Sequence, residues 1–158
     1  MHLSLIATGK TSQPWIQEGI DVYAQRLVRY TKFSYVETPN LKGKFAKADP
    51  ARVMKEEALQ VEKCLKGVDH LILLDEHGAQ MGSVELSKHL QGLMNRGLKQ
   101  TAFLVGGAYG FDPSIRARAH GTWSMGKLTF PHELIRVFAL EQLYRAHTIL
   151  KGEPYHHP

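Results

Sequence analysis

Residues 70–74 and 101–105 are short apolar runs with no polar alternation. Strands of this kind are buried on both faces, which happens where a parallel sheet is covered by helices on both sides. Parallel neighbours need a crossover of a dozen residues or more. Between the two runs lies a helical pattern, Leu86, Leu90 and Leu93-Met94, opened by Ser83 and ended by Gly97. The same alternation fills the rest of the chain. Residues 2–8 have strand character, and Ser12 and Pro14 open a helix carrying Trp15, Ile16, Ile20, Tyr23 and Leu27. Residues 33–38 alternate as a strand and stop at Pro39, and Asp49-Pro50 is an N-cap followed by proline at the first helical position. That helix is expected to run to about Lys66, with Gly78 and Gly82 then bracketing a loop. Asp112-Pro113 starts a short helix, residues 122–125 form a last strand, and Pro131 begins the longest helix, ending near Gly152. The expected architecture is an α/β sheet with helices on both faces, in one domain over residues 1–158.

Charge and cysteine content narrow the function classes. The formal net charge is +5 with nine neutral histidines, a balance that favours polyanionic partners. Lys42, Lys44 and Lys47 concentrate part of it in the polar stretch 40–48, a loop inside the domain. No apolar run approaches the roughly 18 residues of a membrane span, so no membrane partner is expected. The lone Cys64 cannot form an internal disulfide and fits a reducing, cytoplasmic setting, where it reads as a packing residue. His156 and His157 lack the cysteines or carboxylates that would complete a metal site, and no metal is expected.

Three segments carry the chemistry. The first is Leu104-Val105-Gly106-Gly107-Ala108-Tyr109-Gly110, a buried strand running into glycines that let a ligand approach the backbone. Its Gly-Gly-x-x-Gly spacing is neither a dinucleotide fingerprint nor a P-loop, and by itself it is equally a tight turn. The second is Trp123-Ser124-Met125-Gly126-Lys127-Leu128-Thr129-Phe130-Pro131-His132, leading into a helix that is apolar nearly all round. Such a helix is either central or part of an oligomer interface. Arg136, Glu141 and Arg145 are embedded in it, and the i,i+4 spacing of the last two suits an ion pair on the helix surface. The third is the tail, with Tyr155, His156 and His157.

Taken in order, these segments resemble the RlmH family, a small branch of the SPOUT (α/β-knot) methyltransferases. The matching features are Leu-Val-Gly-Gly-Ala-Tyr-Gly at 104–110, Leu-Thr-Phe-Pro-His at 128–132, Arg-Val at 136–137, Glu-Gln-Leu-Tyr-Arg-Ala at 141–146 and Pro-Tyr-His at 154–156. The resemblance extends over the whole chain. It implies a parallel-rich sheet with a C-terminal trefoil knot, which ordinary topology rules would not suggest. It also implies a homodimer with S-adenosylmethionine (SAM) bound in the knot, and methylation of N3 of a pseudouridine in helix 69 of 23S rRNA on the ribosome. The SAM contacts it implies fall on Leu74, Gly107, Gly126, Lys127, Leu128, Thr129, Phe130 and Pro131.

Within that resemblance, His132 is a candidate general base or substrate-positioning group, and Arg145 a candidate to stabilise charge developing on the base. Tyr155 and His156 are expected to close over the cofactor or stack on the target base, and the three loop lysines to hold RNA phosphates. The rival is a non-catalytic RNA-binding or ribosome-assembly module. It would share the basic loop but have no need of the glycine loop or the 126–131 segment.

Overall fold

In this computed structural model, which describes residues 1–157, five parallel strands form one sheet. They are β1 (His2–Ala7), β2 (Lys32–Glu37), β3 (His70–Gln80), β4 (Gln100–Val105) and β5 (Gly121–Ser124), in the order β2-β1-β4-β3-β5. Helices α1 (Pro14–Leu27), α2 (Pro50–Cys64), α3 (Ser83–Asn95), α4 (Pro113–Arg118) and α5 (Leu134–Leu150) make the crossovers and the C-terminal cover.

Alternate residues of the central strands serve opposite faces. Leu3, Leu5, Phe103 and Val105 pack against α1, α3 and α5, while Ile6, Leu71, Leu73, Ala102 and Leu104 pack against α2 and α4. This explains why Leu71 to Leu74 and Ala102 to Val105 are apolar throughout: each strand serves two cores. Asp49 and Asp112 cap α2 and α4 as expected, accepting from the Arg52 and Ser114 backbone N–H groups. Cys64 is half-buried at the end of α2, and burial pushes its thiol pKa up, which suits packing and not nucleophilic chemistry. No helix is long and apolar enough to cross a membrane among the described residues.

Several expectations are corrected. Gly78 lies within β3, which continues past an irregularity after Leu74 to pair again with β5. A Cβ on Gly78 would sit 2.8 Å from the Trp123 backbone nitrogen, so the glycine permits close strand approach and opens no loop. The cap of α3 is Gly82, whose N–H donates to Glu85, and Ser83 is already helical. Trp15 lies off the buried stripe of α1 and is 59% exposed. The last strand is Gly121–Ser124, and α5 starts at Leu134, three residues after Pro131.

Glu133 leaves its own helix without a side-chain cap and caps the entry of α1, which also has none of its own. Its carboxylate accepts from the Ser12 and Gln13 N–H groups and the Ser12 hydroxyl. One turn on, Arg136 is fully buried. Its guanidinium donates to the carbonyls of Thr8 (2.9 Å), Gly9 (3.1 Å) and His132 (3.1 Å), and to Thr11 Oγ1 (2.9 Å) and Glu37 Oε1 (3.3 Å). The start of α5 is thereby bolted to the C-terminal ends of β1 and β2.

Candidate active site

Because all five strands run the same way, their C-terminal ends share one edge, where open α/β sheets place their ligands. A cleft of about 380 Å³ opens there. Its walls are Leu74 and the residues after it, the glycine turn following β4, and the segment between β5 and α5. Of the residues expected to hold a cofactor, Leu74, Gly107, Gly126, Leu128, Thr129 and Phe130 line the cleft, and His132 stands with them. Lys127 and Pro131 are exposed and lie outside the lining.

Local chemistry explains the course of each wall. Gly106 and Gly107 precede a tight turn in which the Gly110 N–H donates to the Gly107 carbonyl, and Gly110 has φ +85°. Gly126 has φ +144°, a course that favours glycine, and is held by the Ser124 hydroxyl, which donates to its carbonyl at 2.8 Å. The Thr129 hydroxyl donates to Glu76 Oε2 at 3.1 Å and so ties two walls together. Phe130 packs edge-on against Phe138, with centroids 5.7 Å apart.

The cleft also carries charge that the sequence reading missed. Asp75 bonds Arg116 at 2.8 Å and accepts from the His77 N–H at 2.9 Å. Burial alone would push the Asp75 carboxyl up, but the His77 N–H and the Arg116 guanidinium outweigh it and hold the pKa below its ordinary value. An ionised carboxylate therefore sits beside Leu74, its charge met by Arg116 in the same wall. Leu74 and Asp75 are neighbours in the chain, but the partner Arg116 stands 41 positions on in another element, so no sequence pattern announced the pair.

Arg145, Tyr155 and His156 form a second cluster that contributes nothing to the cleft lining. Arg145 bonds Glu141 through Nε at 3.0 Å, as the i,i+4 spacing suggested. Its guanidinium also lies over the Tyr155 ring, 4.8 Å from the centroid, with His156 Nδ1 at 3.5 Å. The Tyr155 hydroxyl donates to Glu141 at 3.0 Å, and Glu153 bonds Tyr30, so the tail is folded back on α1 and α5. Burial and its hydrogen bonds with Tyr23 and Glu141 push the Tyr155 hydroxyl well up, which makes it a donor and a stacking surface, not a base. At about 1.5 Å per residue, Arg145 is roughly 17 Å along α5 from Leu134, farther than one base can span.

Lys42, Lys44 and Lys47 are exposed around a short 3-10 turn at Gly43–Phe45. The loop follows β2, so it leaves the same sheet edge as the cleft, two strands from β4. No group of histidines, cysteines and carboxylates able to hold a metal occurs among the described residues.

Comparison with known proteins bears on this arrangement. Residues 1–156 match the family described as "Predicted SPOUT methyltransferase". The protein named ribosomal RNA large subunit methyltransferase H in Geotalea daltonii is 42% identical over 157 residues, covering 99% of this chain and all of the relative. Its namesake in Geobacter metallireducens is 43% identical, with 99% of each chain covered. Among solved structures, a probable methyltransferase from Bordetella pertussis superposes with a TM-score of 0.54 at 15% identity, covering 92% of this chain and 95% of that one. A probable methylase family protein from Haemophilus influenzae gives 0.56 at 8% identity, covering 95% and 66%. At those identities the two structures speak for the fold alone.

Proposed function

Since the chain belongs to the SPOUT methyltransferase family, in the branch named ribosomal RNA large subunit methyltransferase H, we propose that it transfers a methyl group from SAM to N3 of a pseudouridine in helix 69 of 23S rRNA. The observation that carries this reading is the cleft, where three stretches remote in sequence, 74–77, 105–111 and 123–135, converge. Its volume falls in the range of small-ligand pockets, roughly 300–1,000 Å³. Leu74, Leu128, Phe130 and Ile135 suit an adenosine, and the glycine backbone suits close approach. The finer topology proposed is the trefoil knot. Its support is that the chain leaves β5 at the sheet edge and returns through α5 to pack against α1 and α3.

SAM supplies a methyl group on a sulfonium centre, open to in-line displacement. The protein's task is to bring N3 onto that line and manage its proton. Bound there, SAM would supply the methyl carbon and keep the bond's electron pair on its sulfur, while His132 would take the N3 proton on an imidazole nitrogen as N3 is methylated. Arg145 stabilises the charge that builds on the base, while Tyr155 and His156 stack and position it. Because Arg145 stands too far along α5 to share a base with His132 of its own chain, the reading includes a homodimer in which each cleft is completed by the second copy. Exposed Phe138 on α5, with Trp15 and Val22 on the neighbouring α1, gives that pairing apolar surface.

The decisive experiment is SAM titration by calorimetry with Leu74→Trp as control. The unsubstituted protein should bind, and the indole should fill the cleft and lower affinity about 100-fold or more. A non-catalytic RNA-binding module would show no heat at all. RNA docking is tested separately. Neutralising Lys42, Lys44 and Lys47 together should weaken ribosome binding and remove about one unit of salt slope per phosphate contact, with SAM affinity unchanged. Normal methylation by this triple variant at raised salt would move the docking surface to Arg26, Arg29, Arg116 and Arg118.

A further inference from the structure

Behind the glycine turn stands a polar group that nothing so far uses. Glu57, on α2, places its carboxyl against the back of Gly107. A Cβ on Gly107 would lie 2.5 Å and 2.6 Å from the two Glu57 carboxyl oxygens. A side chain at Gly107 would therefore have to push the Glu57 carboxyl aside from within the fold, whatever a ligand requires from outside. Glu57 Oε2 is buried and has no hydrogen-bond partner. Burial raises the carboxyl pKa, and no charged neighbour offsets that. The other carboxylate of the small hollow around Glu57, Asp112, is occupied by Ser114. An acceptor left unpaired in the interior costs stability, and such groups persist where function uses them.

We propose that Glu57 is a positioning residue of the cofactor cleft. Its carboxyl is the backstop that sets the depth of Gly107, and its free oxygen accepts a backbone N–H of the 106–110 turn when that turn closes on the cofactor. The proposal rests on the reading of the cleft as the SAM site. It gives the chain an acceptor held in reserve, on the opposite side of the turn from the ligand.

The test uses the full-length protein, SAM calorimetry and thermal unfolding without cofactor. Glu57→Leu keeps the bulk and removes the acceptor. Its Kd for SAM should rise about tenfold, the worth of one buried hydrogen bond, while Tm holds or rises because an unpaired polar atom has gone. Glu57→Gln keeps an acceptor oxygen and should stay within about threefold of the unsubstituted protein. Gly107→Ala forces the carboxyl aside, so its loss of affinity and that of Glu57→Leu should not add in the double variant. Additive losses would place the demand for glycine on the ligand side and overturn the proposal. So would an unchanged Kd in Glu57→Leu, or equal losses of affinity and Tm in the leucine and glutamine variants, which would make Glu57 a packing residue. If Leu74→Trp leaves SAM binding intact, the reading of the cleft fails instead, a result separable from failure at Glu57.

Discussion

Arg145→Ala should lower kcat about 10²–10³-fold, the range for removing one charge-stabilising donor, with SAM affinity within twofold of the unsubstituted protein. The split follows from geometry: Arg145 lies outside the cleft proposed to hold SAM, bonded to Glu141 and stacked on Tyr155. A stronger form of the same experiment asks which chain's arginine serves which cleft. Coexpressed Arg145→Ala and Leu74→Trp chains give homodimers with no competent site. A mixed dimer joins the open cleft of the first to the intact arginine of the second. Random pairing should then restore about one quarter of normal activity. No recovery in purified mixed dimers would mean that each arginine serves the cleft of its own chain, and would overturn the shared site. Sedimentation of the unsubstituted protein as a monomer at micromolar concentration would do the same.

The second large effect concerns stability. Arg136→Met should destabilise the protein by about 3–5 kcal/mol, because it leaves the largely buried Glu37 carboxylate without its guanidinium partner. At roughly 2–4 °C per kcal/mol for a chain of this size, Tm should fall by about 6–20 °C. Three backbone carbonyls lose a donor in the same step. Lysine should rescue little, since a single ammonium cannot reach five acceptors spread over three segments. Pairing the change with Glu37→Gln should recover part of the loss, because the stranded charge is then removed. An Arg136→Met protein with an unchanged melting curve would mean that this buried network contributes nothing net.

These residues also mark where the sequence stops being legible. The two central strands are readable because each serves two cores, which leaves Leu71 to Leu74 and Ala102 to Val105 no polar positions. Proline after aspartate announces α2 and α4 because capping is local chemistry. Arg136 shows only as a charge in an apolar run, since Thr8, Gly9, Thr11 and Glu37 stand 99 to 128 positions away. Gly78 looks like a loop glycine because its constraint is the backbone of Trp123, on another strand. The ordered motifs identify the cleft segments, and the structure brings Leu74, Gly107, Gly126 and His132 together. Glu57 and the Asp75–Arg116 pair carry no motif, and only proximity reveals them.

The cap that Glu133 provides to α1 has a consequence in time. Ser12 and the carboxylate that bonds its hydroxyl are 121 residues apart. At a synthesis rate of roughly 5–20 residues per second, about 6–24 s separate the making of the helix start from the making of its cap. The central pairing of β1 with β4 likewise joins residues 98 positions apart, such as His2 and Gln100. Until then β1 has only β2 to pair with, and a two-stranded unit is marginal by itself. The N-terminal half therefore emerges as a chain whose exposed strand edge and uncapped helix must wait for the C-terminal third. Truncations that end before residue 133 should therefore be handled by the cell as unfolded protein.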